Sequence, residues 1–189
     1  MEKPKIILLK ASGSEEFPED FQKYYHTHIY CERGNISFVF NDRPFACKKG
    51  EFILYHAAAG GVGQVLCQWA KSLGCKVIGT VGSEDKVKIA KENGCDFVIN
   101  YSKESFSQKV KEITNGKMLD VVYDGVGAKT FEESIECLAI RGTMVSFGNA
   151  SGLVEKVDPK KHIAPKGLFF TRPSIAHYTV TREELVNSA

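Results

Sequence analysis

Residues 52–63 read FILYHAAAGGVG, and this stretch decides the fold. Phe52, Ile53, Leu54 and Tyr55 form a short apolar run, as expected of a strand buried on both faces of a parallel sheet. Small residues follow: Ala57, Ala58, Ala59, Gly60, Gly61 and Gly63. Beyond them Val62, Val65, Leu66, Trp69, Ala70 and Leu73 recur at helical spacing. The order is strand, tight small-residue turn, helix, which is the context a dinucleotide-binding loop requires. Ala58, Gly60 and Gly63 fill the places of the G-x-G-x-x-G pattern, with Gly61 added. Small side chains permit the turn, bare backbone N–H groups can approach a pyrophosphate, and Gly63 lets the helix lie close to the strand. The helix N-terminus adds partial positive charge. A tight strand–helix connection with no ligand is the other reading of the same turn, so the rest of the chain must decide.

From Glu51 onward the pattern alternates. Strands are expected at 52–55, 75–80, 96–99, 119–123, 142–147 and 168–171. Helices are expected at about 61–73, after Ser83 as cap with Val87, Ile89 and Ala90 inside, at 105–114 with Phe106, Val110 and Ile113 on one stripe, and at 130–138. Asn93-Gly94 and Asn115-Gly116 carry helix-stop signals. Six strands with intervening helices predict an α/β, doubly wound parallel (Rossmann) sheet. Residues 148–167 read as a long loop rich in small and polar residues. Glu183-Glu184-Leu185-Val186 opens a further helix.

Residues 1–50 differ. They hold short strand-like runs at 29–31 and 36–40 between turn clusters, which predicts a β-rich N-terminal extension (1–50) ahead of the nucleotide-binding domain (51–189). His26 and His28 share one face of a strand, with Glu32 beyond. The pattern is metal-like on paper, but two half-buried His on a hairpin explain it as well, and no metal is expected.

Composition excludes several classes of function. The 189 residues carry a net charge of +2, and no run of like charge exceeds two residues, so neither nucleic acid nor an acidic partner is implied. No apolar stretch approaches the length of a membrane span, and the four-residue apolar core at 6–9 is too short for a signal peptide. The six cysteines, at 31, 47, 67, 75, 95 and 137, form no C-x-x-C pair. They read as reduced thiols of a cytoplasmic protein rather than a zinc site.

In an open parallel sheet the ligand lies outside the carboxyl ends of the strands, where strand order reverses. The first such end is the turn with Ala59, Gly60, Gly61 and Val62. The second carries Gly82, Ser83 and Lys86. An NAD enzyme usually places Asp or Glu at the end of its second strand to grip the ribose hydroxyls. Thr80-Val81-Gly82-Ser83 has none, while Ser83 offers a hydroxyl and Lys86 a charge, which favours a 2′-phosphate and so NADP(H). Lys86 also reads as a solvated helix residue paired with Glu84 or Asp85. Tyr101, after the third strand, is placed to close over the adenosine end. Phe147, Gly148 and Asn149, with residues 124–127, would face the nicotinamide. Ser146 and Ser151 read as loop hydroxyls and His56 as packing or capping, so no residue is assigned a catalytic role.

The segments HAAAGGVGQVLCQWAKSLGCKVIGTVGSEDK, VINY, EITNGK, VVYDGVG, MVSFGNASG, LFFTRP and REEL together resemble the NADPH:quinone oxidoreductases, the zeta-crystallin-like, zinc-free branch of the medium-chain dehydrogenase/reductases. The resemblance covers about residues 48 to 189. It implies NADPH reduction of a quinone, often in a homodimer, with a GroES-like catalytic domain around the nucleotide-binding one. By position it assigns Gly60, Gly61 and Val62 to the pyrophosphate, Gly82, Lys86 and Tyr101 to the 2′-phosphate and adenosine, and Phe147, Gly148 and Asn149 to the nicotinamide side. Residues 1–50 resemble instead the sensory cupin of AraC-type regulators. The expectation is thus an NADPH-dependent quinone reductase that lacks the GroES-like domain and retains mainly cofactor binding. A nucleotide-binding module without turnover and a ligand-sensing regulatory fragment stand as alternatives.

Overall fold

A computed structural model describes residues 48–174 and 180–182. The β-rich extension, with His26, His28 and Glu32, and the helix expected from Glu183 lie outside the described residues. The rest forms strands β1 (Phe52–Tyr55), β2 (Lys76–Val81), β3 (Phe97–Asn100), β4 (Leu119–Asp124), β5 (Leu138–Ser146) and β6 (Phe169–Thr171). Between them run helices α1 (Gly61–Ser72), α2 (Asp85–Glu92), α3 (Phe106–Ile113) and α4 (Phe131–Cys137). The strands make one six-stranded sheet in the order β3-β2-β1-β4-β5-β6. Every pairing is parallel. The order reverses between β1 and β4, so the crevice for a ligand opens at their carboxyl ends, as the doubly wound expectation requires.

Strand alternation explains the two cores. Ile53, Tyr55, Val77, Val121, Tyr123 and Val145 point to one face, where they meet Leu66, Cys67 and Ala70 of α1 and Ala90 of α2. Leu54, Ile78, Val122 and Met144 point to the other and meet Phe106 and Val110 of α3 and Phe131 and Ile135 of α4. Because both faces are covered, the strands read as unbroken apolar runs. Each fully buried Leu, Ile or Val contributes about 1.5–3 kcal/mol relative to exposure, and Ile53, Leu54, Ile78 and Val122 are all fully buried.

The differences from expectation lie at element ends. β2 and β3 start and stop one residue later than the apolar runs. Ser83 does not cap α2: Glu84 precedes the helix and no side chain caps it. α3 begins at Phe106, one residue later than expected, with Ser105 as its cap: the Ser105 hydroxyl accepts from the Gln108 N–H. α4 ends at Cys137 and the chain passes straight into β5, which begins at Leu138 rather than at 142. Leu138 pairs with Leu119, then the register shifts and resumes at Val121 with Thr143. Arg141 turns through φ 62° within that irregularity. Its N–H donates to Lys166 O, and the Lys166 ammonium donates to the carbonyls of Ile135, Glu136 and Leu138. A residue 25 or more positions ahead therefore sets where α4 stops, which no local signal reveals. The long loop contains a five-residue π-helical turn, Pro159–Ile163, whose Lys160 and Lys161 N–H groups donate to the Asp158 carboxylate.

Candidate functional site

The Gly-rich turn lies where β1 delivers the chain to α1. Ala57 takes φ 57°, and its carbonyl accepts from the Gly60 N–H at 2.9 Å. Gly60 then caps α1 in extended conformation with no side-chain partner, so among the described residues no side chain seals the helix N-terminus. The glycines divide their work. A Cβ on Gly63 would stand 2.6 Å from Ala57 O and 2.7 Å from Ala58 O, so the helix presses bare backbone against the turn. A Cβ on Gly61 would meet nothing within 4 Å. Packing thus demands Gly63, whereas the space at Gly61 is open among the described residues. Gln64 Nε2 donates to Ala59 O at 2.9 Å and ties the first turn of α1 back to the Gly-rich loop.

His56 fastens this turn to its neighbours. It is 1% exposed, with Nδ1 2.8 Å from the Thr80 hydroxyl of β2 and Nε2 2.8 Å from the Ser134 hydroxyl of α4. Burial lowers its pKa to about 4, although Asp124 and Glu133 pull it up. The ring is a neutral cross-brace rather than an acid or base for neutral-pH chemistry. The packing role expected of His56 is what these contacts describe.

At the end of β2, Gly82 lies under Tyr101: a Cβ there would stand 2.6 Å from the Tyr101 hydroxyl. The loop after β3 is tied down by the Tyr101 N–H to Val81 O (3.1 Å) and by the Ser102 hydroxyl to Gly82 O (2.7 Å). The Ser83 hydroxyl is engaged with Asp85, whose carboxyl it holds below the usual range. Lys86 is exposed, and its ammonium makes no hydrogen bond or ion pair among the described residues. The rival partner Glu84 is taken instead by Lys103, at 2.7 Å.

The third end interlocks two loops. The buried Asp124 carboxylate accepts from the N–H groups of Val126 (2.7 Å) and Gly127 (3.0 Å) and from the Thr130 hydroxyl (2.8 Å). Phe147 and Gly148 N–H groups donate to Asp124 O, and Ala150 and Ser151 N–H groups to the carbonyls of Gly125 and Val126. The Phe147 ring turns inward, stacked on Tyr55 at 5.9 Å and seated against Gly125, so the loop offers its backbone, not its ring, to the crevice. Asn149 is exposed, and its Oδ1 accepts from Arg172 at 2.9 Å, while Arg172 also reaches Ser146 O at 3.1 Å. The Ser151 hydroxyl donates to Val126 O, a loop role as expected.

The structure therefore brings Ala59, Gly60, Gly61 and Val62, then Gly82, Ser83, Lys86 and Tyr101, then Phe147, Gly148 and Asn149 to the carboxyl edge of one sheet. Sequence reasoning missed Gln64, Asp124, Ser102 and Arg172 as supports. Asp124 was legible, since an Asp before Gly-x-Gly signals a side chain bonded to its own following N–H groups. Arg172 carried no signal, being distant in sequence from Asn149. Among the described residues no group of three or more His, Cys, Asp or Glu is arranged to hold a metal.

A parallel sheet with a glycine-rich first turn at its switch point defines a Rossmann-type dinucleotide-binding domain. Residues 61–188 match the family described as zinc-binding dehydrogenase, and the chain belongs to that family. It is 50% identical over 157 residues to the quinone oxidoreductase of Salmonella typhimurium, spanning 83% of this chain and 48% of that protein. It is 49% identical over 147 residues to quinone oxidoreductase 1 of Escherichia coli, spanning 78% and 45%. Among solved structures it resembles Escherichia coli quinone oxidoreductase complexed with NADPH, with TM-score 0.73 and 49% identity over 77% of this chain and 45% of that one. It also resembles 2-haloacrylate reductase, with TM-score 0.74 and 41% identity over 77% and 46%. The chain spans about half the length of the curated relatives it matches.

Proposed function

We propose that residues 51–189 form an NADPH-binding unit and that the protein is an NADPH-dependent quinone reductase. The observation that carries this is the open N-terminus of α1 at Gly60–Gly61, set at the β1/β4 switch point and without a side-chain cap among the described residues. Its fit to a dinucleotide is good. Exposed N–H groups and the helix dipole suit a diphosphate, and the bare Cα of Gly61 leaves it room. Lys86, unpaired among the described residues, suits a 2′-phosphate, with the Tyr101 hydroxyl across Gly82 to cover the adenosine. The Gly125–Gly148 contact, where an added Cβ would stand 2.4 Å from Gly125 O, keeps a side-chain-free wall for the nicotinamide.

Bound NADPH supplies the hydride, and the chain's own residues bind, orient and exclude water. Asp124 and Arg172 hold the 147–149 loop in place, and His56 holds the diphosphate turn against β2 and α4. β6 is an edge strand among the described residues, and Phe169 on it is 62% exposed, which supports a homodimer joined there. Among the described residues the free, buried thiols of Cys67, Cys75, Cys95 and Cys137 support a reducing, cytoplasmic setting.

The test is to titrate the protein with NADPH and NADH and then follow NADPH oxidation with a simple quinone. NADPH binding with quinone-dependent oxidation is expected. Binding without oxidation would reduce the function to nucleotide binding, and no binding of either dinucleotide would refute it. Lys86→Ala is expected to weaken NADPH by about tenfold and to leave NADH within about twofold. Equal losses would remove Lys86 from the 2′-phosphate site.

A further inference from the structure

The turn between β2 and α2 holds a carboxylate where the proposed 2′-phosphate would least tolerate one. Glu84 follows Ser83 directly and precedes Asp85 and Lys86. Its Oε2 lies 2.7 Å from Lys103 Nζ and accepts from Asn100 Nδ2 at 3.4 Å. These bonds, Lys103 first and Asn100 next, hold the Glu84 carboxyl below its usual range, so it is ionised at neutral pH. Lys103 is placed by a rigid frame. Its own N–H donates to Asn100 O, the Ser102 N–H donates to Asn100 Oδ1, the Ser102 hydroxyl donates to Gly82 O, and the Tyr101 N–H donates to Val81 O. The loop after β3 thus lies across the loop after β2 and carries Tyr101 and Lys103 as a pair, one onto Gly82 and the other onto Glu84.

We infer that Lys103, seconded by Asn100, is a specificity-determining residue: by sequestering and neutralising Glu84 it preserves the preference for a 2′-phosphorylated dinucleotide. This deepens the proposed NADPH reading and rests on it. Five charged side chains act at the turn: cations Lys86, Lys103 and Lys91, the last further along α2 and felt by Glu84, and carboxylates Glu84 and Asp85. They sum to +1. Without Lys103 the sum falls to zero, and Glu84 is released to repel the phosphate or to take the ribose hydroxyls of a dinucleotide that lacks one. Without Glu84 the sum rises to +2. The signs of the two substitutions are therefore opposite, which a merely structural ion pair between two side chains about two-thirds exposed would not produce.

The test uses the full chain and four proteins: wild type, Lys103→Ala, Glu84→Gln, and the double variant. Affinities for adenosine 2′,5′-bisphosphate and for 5′-AMP are measured at low and high salt. Lys103→Ala is expected to weaken the bisphosphate about three- to fivefold at low salt and Glu84→Gln to tighten it two- to threefold, both effects shrinking at high salt. The double variant is expected to return to within twofold of wild type, with 5′-AMP within twofold throughout. If the wild type does not prefer the bisphosphate, the NADPH reading itself fails and takes this inference with it. If the wild type does prefer it but Lys103→Ala leaves the ratio of the two affinities unchanged, or Glu84→Gln does not restore it, the role of Lys103 is refuted while the NADPH reading stands.

Discussion

At the scale of single residues, the two adjacent roles of glycine in the first turn separate by substitution. Gly63→Ala forces a methyl into the carbonyls of Ala57 and Ala58, and a loss of about 2–4 kcal/mol in denaturant unfolding is expected. Gly61→Ala would place a methyl with no neighbour within 4 Å among the described residues, so unfolding should change by less than about 0.5 kcal/mol while NADPH affinity falls roughly tenfold. His56 yields a prediction about pH. Its folded pKa of about 4 lies below the ordinary 6.5, so between those values the unfolded chain binds the extra proton. Stability is therefore expected to fall as pH drops from 6.5 to 4, by about 3 kcal/mol from this residue. His56→Gln should be less stable at neutral pH but flatter across that window, measured by urea unfolding at several pH values. The sequence showed that small residues were needed between Ala57 and Gly63. It did not show which serve packing and which face outward, because that depends on where α1 lies against β1.

At the scale of elements, two helix ends depend on distant side chains. The N-terminus of α3 is completed by Glu133 of α4, whose Oε1 accepts from the Ser105 hydroxyl (2.6 Å) and the Ser107 N–H (2.8 Å). Burial raises the Glu133 pKa, but these bonds outweigh it and leave the carboxyl below its usual range. A folded pKa below the unfolded one gives stability that is present above the unfolded value and lost as pH falls through the folded one. Glu133→Ala is expected to cost about 1 kcal/mol at neutral pH and to cost nothing once the carboxyl is protonated. At the other end of α4, Lys166→Met removes the donor to three carbonyls, and a loss of about 1–2 kcal/mol by thermal unfolding is expected. The stop of α3 at Asn115-Gly116 was legible, since it acts within its own helix. The end of α4 and the early start of β5 were not, because Lys166 and the carbonyls it binds are brought together only by the return of the chain toward β6.

At the scale of the whole molecule, the sheet couples the site to global stability. Leu54 sits in central β1, fully buried between α3 and α4, and Leu54→Ala is expected to cost about 3 kcal/mol by denaturant unfolding. Saturating NADPH, at a hundred times its dissociation constant, should raise stability by about 2.7 kcal/mol and NADH by less, read as thermal shifts on the full chain. The alternation of apolar runs with amphipathic segments by itself determined that this protein is a parallel α/β sheet with a tight small-residue turn after its first strand, because periodicity and small-residue spacing are local properties of the chain. Tertiary structure alone decided which groups support the site: His56 bridging Thr80 and Ser134, Arg172 on Asn149, and Lys103 on Glu84. Such contacts join side chains across strand ends that lie far apart in sequence, and only the order β3-β2-β1-β4-β5-β6 brings those ends to one edge.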